Sequence, residues 1–260
     1  MKRKICFIFI LIFCSSNVHV FAQKLPILSK TLKDGNISSL NEYIIHNEEI
    51  FANEFRENSI YWRLYREILP GYYEGTLQLI FTEAYSDWRH KQFRQQVNII
   101  AKDSTIIFFQ IKGLDSFNHY KTIIDSNVNF SFFTQFQNDF YKTYKSKLNR
   151  KYLFIDSINY GEKCSEQEDN SLEYDKMIKL VKNKNIIELN EWLRCGNSEL
   201  QLFAVKGLFL LKSQKQNIDE ETSNLIHIIL QKKGNINFFV NCRERRIQMD
   251  KLTRDYLHFE

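Results

Sequence analysis

The histidines, cysteines and carboxylates that most often do chemistry are scattered along this chain. No histidine has a second histidine three or four residues away, and no Cys-x-x-Cys pair occurs, so a zinc site is not indicated. The Gly-x-Ser-x-Gly elbow, the His-Glu-x-x-His helix, the Walker loop and Gly-x-Gly-x-x-Gly are also absent. Acidic runs such as residues 219–221 suit a helix start, where negative charge is favourable. We therefore predict no catalytic residue, no metal site and no cofactor.

The cysteines offer a structural bridge instead of a catalytic group. Cys164 and Cys242 lie in irregular segments on either side of a predicted helical block, and Cys195 lies at a helix end before Gly196. A bridge between Cys164 and Cys242 would close a large loop, which the chain-entropy model values at about 4–5 kcal/mol. We predict this disulfide, with Cys195 free. Three unconnected thiols are the alternative, because the pairing does not follow from the sequence alone.

Cations interleaved with aromatic residues form one candidate contact surface for a polyanion such as a nucleic acid or an anionic envelope polymer. Its members are Lys142, Lys145, Lys147, Arg150 and Lys151. A helix end explains the same pattern, because cations stabilise the C-terminal dipole. The overall charge argues against a broadly basic nucleic-acid binder. The chain has 36 basic and 31 acidic residues, and loss of the three cations at positions 2–4 would leave 33 and 31, a charge of +2.

The first 22 residues are typical of a signal peptide. A Lys-Arg-Lys start precedes the uninterrupted apolar run Ile5–Phe13. Val20 and Ala22 are small enough for positions −3 and −1 of a cleavage site between Ala22 and Gln23. We therefore predict an exported chain that ends in the periplasm, at the cell surface or outside the cell.

Two other interpretations of this start remain open. One is an uncleaved membrane anchor, although the apolar run is shorter than the roughly 20 residues that a spanning helix needs. The other is a lipoprotein modified at Cys14, although bulky Phe13 stands where that signal usually has a small residue. No other stretch approaches a transmembrane length, so we predict no membrane span in the mature chain.

Residues 23–160 are predicted to form an α+β domain that begins with helices. The capping box Ser39–Glu42 starts a helix that runs to about Phe55. The apolar residues of Ile60–Ile68 favour a second, short helix, which Pro70 would end.

The pattern then changes to the two-residue period of strands. The runs Thr76–Thr82, Phe93–Ile100 and Thr105–Ile111 predict a small three-stranded antiparallel meander. Tyr152–Asp156 is a possible fourth strand. Between the third strand and this possible fourth strand, aromatic residues recur on one face of a predicted helix, which we expect to pack on the sheet. They are Phe132, Phe133, Phe136, Phe140 and Tyr144.

The polar stretch 161–171 marks the predicted boundary to a second, α-helical domain over residues 161–260. Three polar residues are the expected helix caps there, Asn170, Asn197 and Asp219, and Gly234 is the expected end of the last helix. Short turns between amphipathic helices imply antiparallel neighbours. Residues 235–242 are predicted to be extended and residues 243–260 to be helical.

Part of this block resembles a HEAT-like helical unit. The resemblance covers one helix pair over residues 189–211 and rests on Leu189, Trp192, Leu193, Asn197, Leu200, Phe203, Ala204, Val205 and Leu208. No clear second copy follows, although repeat proteins stack several units. The resemblance implies a protein-contact surface.

The predicted function follows from the export signal, the helical block and the missing catalytic motifs. We expect a non-enzymatic module that binds another protein or scaffolds an assembly in the cell envelope or exterior. The alternative is an envelope hydrolase or other enzyme with a noncanonical site, and polyanion binding through residues 142–151 is the third hypothesis.

Overall fold

The computed structural model describes residues 27–54, 59–86, 89–114, 120–161, 171–240 and 243–255. The helices found there are α1 (27–33), α2 (Ile37–Glu54), α3 (Phe130–Tyr144), α4 (Leu172–Lys182), α5 (Ile186–Leu193), α6 (Ser198–Ser213), α7 (Glu220–Leu230) and α8 (Met249–Asp255). The strands are β1 (Ser59–Leu69), β2 (Tyr72–Ser86), β3 (Arg89–Lys102), β4 (Thr105–Leu114), β5 (Tyr120–Asn127), β6 (Asn235–Val240) and β7 (Arg243–Gln248).

The first five strands form an antiparallel meander in the order β1-β2-β3-β4-β5. Pro70 and Gly71 make the β1–β2 turn, and Asp103 and Ser104 make the β3–β4 turn. The predicted α+β class and antiparallel meander are confirmed. The sheet has five strands instead of three, because β1 and β5 add to the predicted ones.

β1 corrects the predicted helix over residues 60–68. Ile60, Leu64 and Ile68 are all buried at a four-residue spacing that is typical of a helix. In the strand, two irregularities in the pairing with β2 interrupt the alternation of sides. Ile60 therefore joins the core on one face of the sheet and Ile68 the core on the other.

Helices cover both faces of the sheet, which gives three layers. On one face, apolar residues of α1 and α2 pack on the sheet, as Leu32 and Leu40 do against Val97 and Phe109. On the other face, α3 and the C-terminal helices share a single core with sheet residues such as Ile100.

α3 confirms the predicted aromatic helix against the sheet. Phe133, Phe136, Phe140 and Tyr144 are buried. The Tyr144 hydroxyl donates a hydrogen bond to the Ile68 carbonyl at 2.8 Å, which anchors the helix to β1. Asn129 caps the start of the helix by accepting from the Phe132 N–H at 3.1 Å.

Buried amides satisfy each other on the sheet. Asn98 Oδ1 accepts from Thr76 Oγ1 at 3.1 Å and from Gln96 Nε2 at 2.9 Å, and Asn98 Nδ2 donates to Gln110 at 3.3 Å. The network links β2, β3 and β4 through side chains, in addition to the backbone ladder. Such pairing offsets the cost of burying polar groups.

The possible strand Tyr152–Asp156 is not a strand. A short 3-10 helix, Arg150–Tyr152, ends at the first residue of this segment, and no helix or strand follows it up to Asn159. Phe154 follows with a positive φ of 60°, and its N–H donates to Glu74 Oε2 at 2.6 Å. The buried Glu74 carboxylate thus accepts the Phe154 N–H, which in a strand would donate to a neighbouring strand.

The helical block contains α4 to α7. Asn197 and Asp219 cap α6 and α7, as predicted. Ser171 caps α4 in place of the predicted Asn170, since its side chain accepts from the Tyr174 N–H. α7 ends at Leu230, so Gly234 is not its terminator.

The C-terminal region is less helical than predicted. Residues 235–240 are extended as predicted, but Arg243–Gln248 pairs with them as β7, and only Met249–Asp255 is helical. The β6–β7 hairpin lies beside β1, an edge strand of the five-stranded sheet, and Arg246 Nη1 donates to the Trp62 carbonyl at 2.7 Å. In the described part of the chain, none of the helices has the length and apolar character needed to span a membrane.

Candidate functional site

A buried ion cluster lies where β1 meets the helical block. Arg66 on β1 is fully buried, and its Nε donates to Glu74 Oε1 on β2 at 2.7 Å. Its Nη1 donates to Glu199 Oε2 in the first turn of α6, and its Nη2 donates to the Ile155 carbonyl at 3.2 Å. One guanidinium therefore connects the sheet, the helical block and the segment between them.

Backbone N–H groups bind the remaining oxygen of Glu199 and both oxygens of a further buried carboxylate, Glu67. Glu199 Oε1 accepts from the Asn237 N–H on β6 at 3.1 Å. Glu67 accepts from the N–H groups of Gly71 and Lys233, both at 2.9 Å. Burial raises the pKa of Glu199, and the nearby Arg66 charge opposes that shift. The hydrogen bonds give this cluster a structural role, since they hold β1, α6 and β6 together.

Lys232 is a second buried cation beside this cluster. Its Nζ donates to Gln201 Oε1 at 2.5 Å and lies 5.5 Å from the centre of the Tyr144 ring. Burial, together with the nearby Arg66 charge, lowers the pKa of Lys232 to about 7. Gln201 in turn donates to the carbonyls of Leu193 and Cys195, so the lysine supports the loop between α5 and α6.

An open cleft lies on the other side of this loop. It has a volume of about 580 Å³ and separates the segment after α3 from α5 and its C-terminal end. The apolar lining residues are Phe140, Tyr152, Ile187 and Cys195. The polar and charged ones are Lys145, Ser146, Lys147, Asn149, Asn190, Glu191 and Arg194. The cleft is thus apolar in part and carries three cations against one carboxylate.

Local backbone structure fixes the two walls. Lys145 ends α3 in a left-handed conformation, with its N–H donating to the Tyr141 carbonyl at 2.8 Å. Asn149 caps the 3-10 helix by accepting from the Lys151 N–H at 3.1 Å. On the opposite wall, Arg194 is the C-terminal cap of α5. Lys145 and Arg194 are therefore held at helix ends, where their backbones are constrained, while Lys147 lies in the segment between α3 and the 3-10 helix.

Arg194 is the least exposed cation of the cleft, with 20% of its side chain accessible. Its Nη2 donates to Glu221 Oε1 at 2.7 Å. Its Nη1 is buried, and no acceptor lies within hydrogen-bond distance of it in the described part of the chain. A buried donor without an acceptor is costly, so a ligand oxygen that reached this atom would remove that cost.

The predicted polyanion residues divide between different environments. Lys145 and Lys147 line the cleft. Lys142 lies 3.9 Å from Asp139 on the exposed side of α3. Arg150 lies over the Phe108 and Phe133 rings, at 5.0 and 4.9 Å, and Lys151 lies over the Tyr152 ring at 4.9 Å. The structure brings only the first two to a shared cavity.

Sequence reasoning missed the opposite wall of the cleft. Ile187, Asn190 and Arg194 belong to a helix that the sequence predicted, but nothing in their spacing relates them to Lys145. The one available signal was the Arg-Cys-Gly run that ends α5.

The remaining site predictions concern the cysteines and the cleavage site. Cys164, Cys242, Ala22 and Gln23 lie outside the described residues, so the disulfide and the cleavage site stay predictions. Cys195 is buried and free. Its Sγ lies 3.6 Å from the Asn197 carbonyl, and burial raises the pKa of its thiol to about 12.

Known proteins provide no relative from which a function could be transferred. No protein-family model matches the chain, and no curated protein or solved structure is significantly similar to it. Within the described ranges, His, Cys, Asp and Glu side chains form no group of three or more that could hold a metal ion.

Proposed function

We propose that this is an exported, non-enzymatic protein that binds another protein in the cell envelope or exterior. The observation that carries the proposal is the cleft between residues 145–152 and 187–195, which joins an apolar wall to exposed cations. Export is supported by the basic and apolar start of the sequence over residues 1–22.

The composition of the cleft suits a protein partner. Ile187 is 76% exposed, although a side chain of this kind is usually buried. Tyr152 extends the apolar part, Phe140 lines it but is almost fully buried, and Lys145 and Lys147 are exposed beside it. Protein interfaces commonly combine an apolar centre with a polar, charged rim. A partner that covers Ile187 would gain apolar burial and charge pairing at once.

The enzyme alternative would use Cys195 as a nucleophile, because this thiol lines the cleft. Reactive cysteines are usually thiolates with a lowered pKa. Burial instead raises the pKa of Cys195 to about 12, so the thiol is protonated at neutral pH. This property favours binding over nucleophilic catalysis in the cleft.

Site-specific photocrosslinking tests the proposal. A photoreactive amino acid replaces Ile187 in the full chain, produced in its native host with its own N-terminus. The control carries the same group at Ile45, which is 58% exposed on α2, the helix that packs on the other face of the sheet. Illumination is followed by mass spectrometry of the adducts from the exported fraction.

We expect position 187 to give one dominant protein adduct that position 45 does not give. The adduct should also decline when the cells carry an excess of the unlabelled protein, because both compete for one partner. Equal adducts at both positions, or none at position 187, would contradict the proposal.

A further inference from the structure

We propose that the cleft recognises an acidic segment of its partner in which carboxylate and apolar side chains stand close together. This inference rests on the proposed function, since it names the chemistry of the partner at the same cleft. It is carried by the three cations, the unsatisfied Arg194 donor and the apolar wall.

The charge of the lining favours an anionic ligand. Arg194 is already paired with Glu221, which leaves Lys145 and Lys147 facing one carboxylate of the lining, Glu191. The two lysines are exposed, and neither forms an ion pair within the described residues. Charges at the rim of an interface steer an opposite charge and select against like charge.

Arg194 supplies a more specific contact. Glu221 occupies its Nη2 at 2.7 Å, while its buried Nη1 has no acceptor in the described part of the chain. A carboxylate oxygen is a strong acceptor for a guanidinium N–H. Glu221 also fixes the guanidinium, so little side-chain freedom remains to be lost on binding.

The apolar wall decides which kind of anion fits. Phe140, Tyr152 and Ile187 occupy the same cleft as the cations. A uniformly charged polymer would leave this surface uncovered, whereas a peptide can place Leu or Ile beside Glu or Asp. The cleft therefore favours a mixed acidic and apolar segment over a phosphate or sulfate polymer.

Fluorescence anisotropy with defined probes tests this inference on the full-length mature protein. The probes are a labelled peptide of alternating Glu and Leu, an oligoglutamate of equal charge, and inorganic polyphosphate as a competitor. The test variant combines Lys145→Glu with Lys147→Glu. The control combines Lys179→Glu with Lys182→Glu, which makes the same charge change at exposed positions of α4. Thermal denaturation confirms that both variants are folded.

We expect the Glu/Leu peptide to bind at least about tenfold more tightly than oligoglutamate, because only it covers the apolar wall. The cleft variant should lose about tenfold in affinity, and the α4 control should lose less than about twofold. Arg194→Lys should also weaken binding, because a lysine cannot reproduce the guanidinium contact.

Two results would overturn the inference. One is polyphosphate that binds more tightly than the Glu/Leu peptide, which would indicate a polyanion site. The other is an affinity that the two lysine reversals leave unchanged. If position 187 still crosslinks a protein in either case, the proposed function stands and only the acidic chemistry fails.

Discussion

Arg66 on β1 donates to Glu199 in α6, a residue 133 positions further along the chain. Arg66 also holds Glu74 at 2.7 Å, so one buried cation sits between two buried carboxylates. This contact joins the sheet to the helical block, in which α5 and the two residues after it, Arg194 and Cys195, form one wall of the cleft. The stability of the cleft thus depends on residues that do not touch it.

Removing Arg66 should strongly destabilise the fold. In Arg66→Met, Glu74 and Glu199 lose their shared cation and remain buried, and breaking such a pair typically costs about 3–5 kcal/mol. Urea denaturation measures the loss. The combined variant Arg66→Met with Glu199→Gln should lose less than the sum of the two single changes, since the residues interact directly.

The exposed ion pair between Lys176 and Glu188 is the control for that experiment. The side chains are 50% and 30% accessible, so Lys176→Met should cost less than about 1 kcal/mol. A loss of under about 1 kcal/mol for Arg66→Met would contradict the structural role of the cluster.

Gly234 should tolerate no side chain, because it passes close to β1. Its φ is 101°, and an added Cβ would lie 2.5 Å from Arg66 Cα and 2.8 Å from the Tyr65 carbonyl oxygen. We expect Gly234→Ala to cost about 3 kcal/mol or more in unfolding free energy, as a sum of backbone strain and overpacking. Equilibrium unfolding in urea tests this.

Gly71→Ala separates the two contributions. Gly71 has a similar φ of 79°, but the nearest atom to an added Cβ is Asp103 Oδ1 at 3.5 Å. This variant should cost about 1 kcal/mol, from backbone strain alone. Equal losses at the two glycines would show that the contact with β1 is unimportant.

The buried Lys232 should make stability depend on pH. Its pKa is about 7 in the folded protein and near 10.5 in the unfolded chain. Between these values the unfolded state binds the extra proton, so stability from this group rises with pH, by at most about 1.4 kcal/mol per pH unit. Below pH 7 both states are protonated and its contribution becomes constant.

The measurement compares unfolding free energies of the protein and of Lys232→Met from about pH 6 to about pH 9.5, a range that spans the folded-state pKa. The difference between them isolates Lys232 from other titrating groups, such as Cys195, whose raised pKa has the opposite effect above about pH 9. Lys233→Met, at an exposed neighbour, is the control. A difference that does not vary with pH would contradict the lowered pKa.

The described residues that precede Cys164 and Cys242 in the sequence pair with each other. Tyr160 and Phe238 pair in parallel, and the Phe239 N–H donates to the Tyr160 carbonyl at 2.8 Å. Cys164 follows Tyr160 by four residues, and Cys242 follows Phe238 by four. The disulfide itself stays a prediction, because both cysteines lie outside the described residues.

Intact mass before and after reduction tests the disulfide. We expect the exported protein to begin at Gln23 and to gain two hydrogens on reduction. Cys164→Ser and Cys242→Ser should each abolish that gain and cost up to about 4–5 kcal/mol in stability, whereas Cys195→Ser should keep it. A mass that reduction does not change would remove the bridge.

The sequence predicted the parts of the fold that carry local signals. Asn197 and Asp219 were predicted as caps because their side chains serve backbone N–H groups only three residues away. β1 was missed because Ile60, Leu64 and Ile68 follow each other at the four-residue spacing of a helix. The strand can bury all three because irregularities in its pairing with β2 interrupt the usual alternation. β5 was missed because it is an edge strand whose residues are mostly exposed, so it lacks a clear apolar alternation.

The candidate site was only half predictable for the same reason. Lys145 and Lys147 belong to a basic run that is visible in the sequence, while Arg194 comes from a helix nearly fifty residues later. Only the packing of α5 beside the end of α3 brings them to one cleft. No local pattern encodes that long-range contact, and the same holds for Arg66 and Glu199.

Lysine labelling in intact producing cells tests the central claim, that the cleft is the partner-binding surface, and it works whichever protein the partner is. A water-soluble acylating reagent is applied to the cells and to the purified protein, and modification is quantified at each lysine. We expect Lys145 and Lys147 to be protected in cells relative to the purified protein, while Lys179 and Lys182 are modified equally in both. Equal modification of all four lysines in both samples would contradict it.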